Sequence, residues 1–462
     1  MENILSNNLS YLELLPYFSV EIMCLIGVII NISMYLFVPR KYNLKRLSDL
    51  TTFIFFSVNS LILGTLLLRN NVIFGDFEFS AFNNSIIYNN QNILLSFWLN
   101  VFFAIFILCT YKTTSKTRFK MPIANSCLLF LGLFSNTIIH IQNSILAFIL
   151  LDVCIFFIYK FASNTRIKKL DIFLFNFILI NSISTFLFYT FYTFSNIFKE
   201  ELQLAVMQVC MTIMLLLKTG LFPFFNYSII KTKKNIITYS ILLFTLLPFL
   251  GINIFSKFAS IINFSNEIYF ISTVAFILVF VFCAGLCAFK VKNLVSFLAN
   301  CSYIYTGLYL ISILFKVDHN TCLNSALISM FIILNAFLIL CILRINIKSK
   351  KLDLNLIKGI FIKNRKFALL FSLSILMIAN ILPNIAFKNN LLLIKEIYEF
   401  DQLSFWAVLV FLFANMLVTL NSFNVIGTIY SSRSQIELTK RTMLNYIVPY
   451  VIIISLIIMI FL

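Results

Sequence analysis

Four ionisable side chains stand inside, or at the rim of, long apolar stretches: Glu21, Asp152, Lys218 and Lys388. Lys218 lies in LLLKTGLFPFFNY, with Gly220 and Pro223 just behind it. A charge in hydrocarbon is costly, so such a residue faces water, a partner or a functional path. A lysine partly removed from water holds its proton less tightly, and a nearby carboxylate restores the affinity. A carboxylate and a lysine on neighbouring helices therefore make a unit that takes up and releases a proton. Asp152 and Lys218 are a carboxylate and a lysine of this kind, and a pair between them fits either such a unit or a structural role. Pro223 supplies an opening beside Lys218, because proline donates no backbone hydrogen bond and clashes with the preceding turn. Unsatisfied backbone at membrane depth belongs where it lines a cavity. A second interrupted stretch, ANILPNIAFKNN (379–390), places Lys388 close behind Pro383. A broken helix beside an ionisable residue is how ion-translocating folds build a midplane site. The two breaks, five segments apart, suggest a pair of internal repeats. Thr212, Thr219 and Tyr227 offer hydroxyls to bridge gaps in such a path.

Each residue also has a plainer role open to it. Glu21, near the end of its segment, can snorkel to the interface. Asp152 can serve as a structural hydrogen-bonding group or pair with Lys218. His140 and His319, the only histidines, stand at segment ends and make poor ligands for haem or zinc. The ten cysteines lack the spacing of an iron–sulfur or zinc motif, and Cys283 with Cys287 reads as helix packing. No metal or cofactor is expected on this chain.

The elements that position these groups are membrane helices. The 462 residues are 61% hydrophobic, with 55 Phe and only 10 Gly, and a mean hydropathy of +0.98. That much apolar surface belongs to a polytopic membrane protein. The excess of Phe, Ile, Asn and Lys suggests an A/T-rich organellar or reduced genome. The start, MENILSNNLS, has no basic region or small-residue cleavage site, so no removable signal peptide is expected. Windows of membrane length predict fourteen segments: 17–38, 50–68, 94–110, 121–139, 144–159, 170–198, 202–226, 236–256, 268–289, 294–315, 323–343, 367–387, 405–430 and 443–462. Charge tests that count. Loops after odd segments hold 28 of the 35 basic residues, and the even loops and termini hold six, leaving Lys218 alone inside. Acids reverse the bias, with four in odd loops and eleven in even loops and termini. One miscounted segment would scramble this alternation. By the positive-inside rule the odd loops face the cytoplasm or matrix and both termini face the other side. The net charge of +18 is thus topological, spread over short loops, and argues against nucleic-acid binding. No loop is long enough for a soluble domain, so a single transmembrane domain over 1–462 is expected.

The order of several motifs resembles the antiporter-like membrane subunits of respiratory complex I, most of all the branch called subunit 2 or N. Four stretches carry it: HIQNSILAFILLDVCIFFIYKF (140–161), LLLKTGLFPFFNYSI, CAFKVKNLVSFLANCSYIYTGLYL (287–310), and LDLNLIKGIFIKNRKFALLFSLSILMIANILPNIAF (352–387) with its KGIF. The resemblance covers about 140–430. It implies an all-α antiporter-like fold of about fourteen transmembrane helices, with inverted repeats and broken helices 7 and 12. It puts Asp152 where the family has a tuning glutamate, and Lys218 on the helix 7 lysine. Pro223 and Phe224 fall on the first break. Phe225 stands where the family has His, and no Trp follows. The family's helix 8 lysine falls near Leu247, where TYSILLFTLLPFLGINIF has no ionisable group, and Pro248 with Gly251 marks a rerouted or lost path. Its helix 12 lysine falls near Asn390. Lys388 is the candidate there, with Lys395 second. A family Ala-Tyr-Ser-Ser motif survives as Ala299 and Ser302.

The resemblance implies a proton-translocating membrane-arm subunit of NADH:ubiquinone oxidoreductase, with no redox centre of its own. FMN, iron–sulfur clusters and quinone are expected in other subunits. The partners are other membrane-arm subunits, including sister antiporter-like chains, and lipid. The mitochondrial inner membrane is the expected location, with a bacterial cytoplasmic membrane as the alternative. A structural subunit with a degenerate channel, and a stand-alone or Mrp-type cation–proton antiporter subunit, are the other readings. Sister subunit 4 is another identity open to it.

Overall fold

The computed structural model describes residues 11–38, 44–73, 78–81, 85–110, 121–163, 179, 181–191, 193, 201–219, 240–259, 267–346, 354, 357–381, 385–399 and 402–431. Predicted segment 14, Pro223 and Pro383 lie outside these residues, as does most of segment 6 before 181. The described residues are almost entirely helical, and ten helices are long and apolar enough to cross a membrane. The protein is a multi-pass membrane protein of all-α fold. In lipid, a helix satisfies its own backbone polar groups, which is why apolar windows of this length fold as helices. The described residues group into two compact units, 1–185 and 186–462.

The first unit holds α1 (Tyr11–Phe37), α2 (Leu44–Ile73), α3 (Asn90–Thr110), α4 (Met121–His140), α5 (Ser144–Ser163) and the start, up to Thr185, of α6 (181–191). Helix α4 is the core of this unit, and α1 packs on α2 with wide outer faces left exposed. Two short strands, β1 (Glu78–Ala81) and β2 (Ile86–Asn89), pair antiparallel with Phe79 opposite Tyr88. They occupy the largest loop of the sequence reading. Their signal is the local period of two in FGDFEFSAF, which membrane-length windows average away. Gln142 N–H donates to Ser85 O at 2.9 Å and ties the hairpin to the turn after α4.

The second unit takes in α6 from Phe186, then α7 (Glu201–Lys218) and a π-helical turn, Leu242–Leu246, that runs into α8 (Leu247–Ala259). It continues through α9 (Glu267–Lys290), α10 (Leu294–Leu314), α11 (His319–Asn346), the single turn α12 (Ile360–Lys363), α13 (Arg365–Ile378), α14 (Ile385–Tyr398) and α15 (Gln402–Tyr430). Helix α10 is buried on every side, with α8, α9 and α11 around it. Asn293 caps α10 by accepting from Val295 N–H at 3.0 Å. Gly359, of the KGIF stretch, adopts φ 71 and donates its N–H to Thr428 O of α15 at 3.0 Å. Only glycine takes that left-handed conformation without strain.

Segment 12 is two helices. Helix α13 stops at Ile378, and its chain turns through Asn380 at φ 53. Asn380 N–H donates to Met377 O and Ile381 N–H to Leu376 O, which is a Schellman stop. Asparagine tolerates the left-handed position because its short polar side chain bonds locally.

Candidate functional site

Lys218 ends α7 and is 1% exposed, one of the largest fully buried side chains. A helix C-terminus favours a cation, because its free carbonyls carry the negative end of the helix dipole. Thr219 follows it and presses on α8 at Gly251. A Cβ at Gly251 would come within 2.6 Å of Thr219 Cα, so glycine is required for this approach. Gly251, read from sequence as a mark of a rerouted path, thus brings the end of α7 onto α8 one turn after Pro248.

The π turn and Pro248 make the second feature. Leu247 N–H reaches back to Leu242 O, five residues away, and π turns are frequent at functional sites. Pro248 has no N–H for the carbonyl four residues earlier, that of Phe244. Ser302, on α10, donates its hydroxyl to Phe244 O instead. The sequence candidate Ser302 therefore completes the broken hydrogen-bond ladder of α8. Beside it is a cavity lined by Thr245, Ser302, Tyr305, Thr306, Tyr309 and Ser329, among apolar residues. It has room for about one water molecule.

The same face of α10 reaches the break between α13 and α14. Tyr305 donates to Ile378 O, a carbonyl left free at the end of α13. Tyr309 lies 3.2 Å from Asn390 Oδ1 and 3.1 Å from Ser325 O, and Asn390 Nδ2 is 3.4 Å from Asn380 Oδ1. Hydroxyls at Ser302, Tyr305, Thr306 and Tyr309 thus join two interrupted helices without an ionisable group. Their spacing of three and four residues is legible in CSYIYTGLY, but only their contacts distinguish a polar path from helix packing.

The remaining candidates lie elsewhere. Lys388 is on the exposed face of α14, whereas Asn390, two residues on, is 2% exposed. Lys395 is exposed and pairs with Glu399 at 3.8 Å. Asp152 is half-buried on α5 of the first unit, where Thr185 of α6 donates to its Oδ2. Glu21, on α1, is half-buried, and its Oε2 is buried with no hydrogen-bond partner among the described residues. Pro223, Phe224 and Tyr227, and with them the first expected break, lie outside the described residues, as does Pro383.

The burial of three polar groups is not evident from the sequence. Asp49, assigned to a loop, lies inside α2 at 5% exposure, and Asn125 Nδ2 donates to its Oδ1 at 2.7 Å. His140 is 3% exposed at the end of α4; its Nε2 is 2.9 Å from Ser96 Oγ and its ring lies on Tyr88 at 4.2 Å. Burial pushes the Tyr88 phenol up from its ordinary pKa, and nearby Glu21 adds to the shift. Lys257, also assigned to a loop, is half-buried in the last turn of α8. The signal available was helix length: the apolar windows stopped at the first charge, while the helices run past it.

No protein-family model and no curated protein matches the sequence. Solved structures do match. A chain of respiratory complex I from Thermus thermophilus with bound aureothin has TM-score 0.73 at 13% identity, over 96% of each chain. A chain of the same organism's complex with bound NADH has TM-score 0.70 at 11% identity, over 96% of this chain and 95% of that one. A chain of the membrane-bound sulfane sulfur reductase, an archaeal respiratory membrane complex, has TM-score 0.75 at 12% identity, over 96% of this chain and 93% of that one. Across nearly its whole length, the chain has the fold of the antiporter-like membrane subunits of respiratory complexes.

Proposed function

We propose that this chain is a proton-translocating membrane-arm subunit of a complex I-like respiratory assembly. The observation that carries this reading is Lys218, fully buried at the end of an apolar helix in a chain of this fold. Lys218 holds and releases the proton, and Asp152 tunes it. The hydroxyl face of α10 and the cavity beside Ser302 continue the path between the two interrupted helices. Asn390 takes the place proposed from sequence for Lys388, because it is the buried polar group of α14. Energy comes from quinone reduction in other subunits, which carry FMN, iron–sulfur clusters and quinone. The partners are sister membrane-arm subunits and lipid. Motif order favours the subunit 2 or N branch, and composition favours a mitochondrial inner membrane.

The test is Lys218→Ala in the assembled complex reconstituted into vesicles. Protons moved per electron fall while electron transfer continues. An unchanged ratio sinks the carrier role. A second reading, a structural subunit with a degenerate channel, draws on the stretch 240–256, which has no ionisable residue, and on neutral Asn390. Under it, Lys218→Ala and Asp152→Asn change assembly or nothing.

A further inference from the structure

Helices α1 and α2 of the first unit meet along a seam that carries buried polar groups at intervals over its whole length. The seam residues of α1 are Tyr17, Cys24, Val28 and Asn31, all buried, with half-buried Glu21 in the same repeat of three and four. Those of α2 are Asp49, Thr52, Phe56, Asn59 and Asn70, with Leu63 and Leu66 between the last two, also buried. The contacts pair them in antiparallel order. Asn31 Nδ2 donates to Thr52 Oγ1 at 3.0 Å, Asn59 Nδ2 to Cys24 Sγ at 3.2 Å, and Tyr17 OH to Asn70 Oδ1 at 3.4 Å. From Asp49 to Asn70 the axis rises about 31 Å, close to the thickness of a bilayer's hydrocarbon core. A packing seam in lipid has no need of two carboxylates, and each is expensive there.

Each carboxylate also carries an unfinished bond. Asp49 Oδ1 accepts from Asn125 of α4, but its Oδ2 is buried with no hydrogen-bond partner among the described residues. Glu21 Oε2 is in the same state. A buried oxygen without a donor is satisfied by a proton or by a water molecule. The charged and titratable groups around them are known. Lys45, one turn before Asp49, is near enough to attract it, and Asn125 faces it from α4. Around Glu21 stand Tyr17 and Cys24 on α1 and Tyr88 on β2, with Arg69 of α2 acting on Tyr17 and His140 of α4 against Tyr88. Between the Asn31–Thr52 and Cys24–Asn59 contacts lies an apolar plug. Phe56 is 0% exposed and stacked on Phe103 of α3 at 4.9 Å, and the register of the Asn31–Thr52 and Cys24–Asn59 contacts puts buried Val28 of α1 at its level. Phe56 fits against Gly132 of α4, where a Cβ would come within 2.5 Å of its ring.

We propose that this seam is a gated proton path of its own, with Asp49 and Glu21 as its proton-holding groups and Phe56 with Val28 as the closed gate. It goes beyond the path through Lys218. A hydronium ion at the basic-loop end gives its proton to Asp49: an O–H bond of hydronium breaks, leaving water, and one forms on the carboxylate. When the Phe56 ring swings aside, water enters, and the proton passes along it to Glu21. Release to water at the far end restores both carboxylates, and nothing is oxidised or reduced.

The experiment uses the full chain in lipid vesicles under a potassium diffusion potential, with an internal pH dye and no electron-transfer substrate. The native chain conducts little. Phe56→Ala raises proton influx severalfold, and adding either Asp49→Asn or Glu21→Gln removes the rise. Val28→Ala, which widens the same gate, serves if Phe56→Ala does not fold. A folded gate variant with no added influx overturns the proposal. So does an influx that survives loss of both carboxylates, since that is a water leak. Lys218→Ala leaves the gated influx unchanged, so failure at the seam and failure of the Lys218 path read out separately. An influx lost with Lys218 overturns an independent path.

Discussion

Pro248 removes one donor from α8, and Ser302 on α10 supplies another to the same carbonyl. The two residues are therefore coupled. Ser302→Ala strands a buried carbonyl and costs about 1 kcal/mol of stability. In a Pro248→Ala background the helix regains its own N–H, and Ser302→Ala costs much less. Thermal unfolding of the four proteins in detergent gives the coupling; equal costs in both backgrounds contradict it. This pair was half legible in sequence. Pro248 stood out inside an apolar helix, and Ser302 stood out by motif, but nothing linked positions fifty-four residues apart. The lysines show the opposite limit. Lys388 was the charge nearest the second break, yet Asn390 is the buried group. Residues two apart on a helix point about 200° away from each other, so proximity in sequence put the charge on the wrong face.

At the scale of elements, the approach of α7 to α8 depends on one missing side chain. Gly251→Ala would press a methyl group into the Thr219 backbone. The helices must part or shift, at about 1–3 kcal/mol. A lower unfolding temperature with the Lys218 region disturbed is the expected result. Unchanged stability would mean that the end of α7 moves freely. The interruptions of α8 and of segment 12 show what local signals report. Proline marks positions near a break, but the break itself is made by the π turn at Leu242–Leu246 and by Asn380 at φ 53. Both depend on replacement partners from α10, Ser302 and Tyr305, which stabilise the freed carbonyls. The hairpin is hidden from such signals for a related reason: a four-residue strand is too short to alter a window of membrane length.

For the whole molecule, charge alternation predicts a definite topology. Lys292, between α9 and α10, and Asp318, between α10 and α11, are both exposed at opposite ends of α10. Lys292→Cys and Asp318→Cys, in a background without native cysteines, should react with an impermeant maleimide from opposite sides of sealed vesicles. Labelling from one side would break the alternation on which the helix count rests. The sequence by itself determined the membrane class, most helix positions and the alternation of loops. Long apolar stretches in lipid have one way to bond their backbone, and charges collect where water is. Only the tertiary structure decided which polar residues lie inside: Asp49 and His140 buried, Asn390 inside and Lys388 outside, and Asn31, Thr52 and Asn59 in the α1–α2 seam. The physical reason is that lipid and protein core are both apolar. A helix that faces lipid on one side and its neighbours on the other carries little contrast between its faces, so sequence patterning cannot say which way it turns.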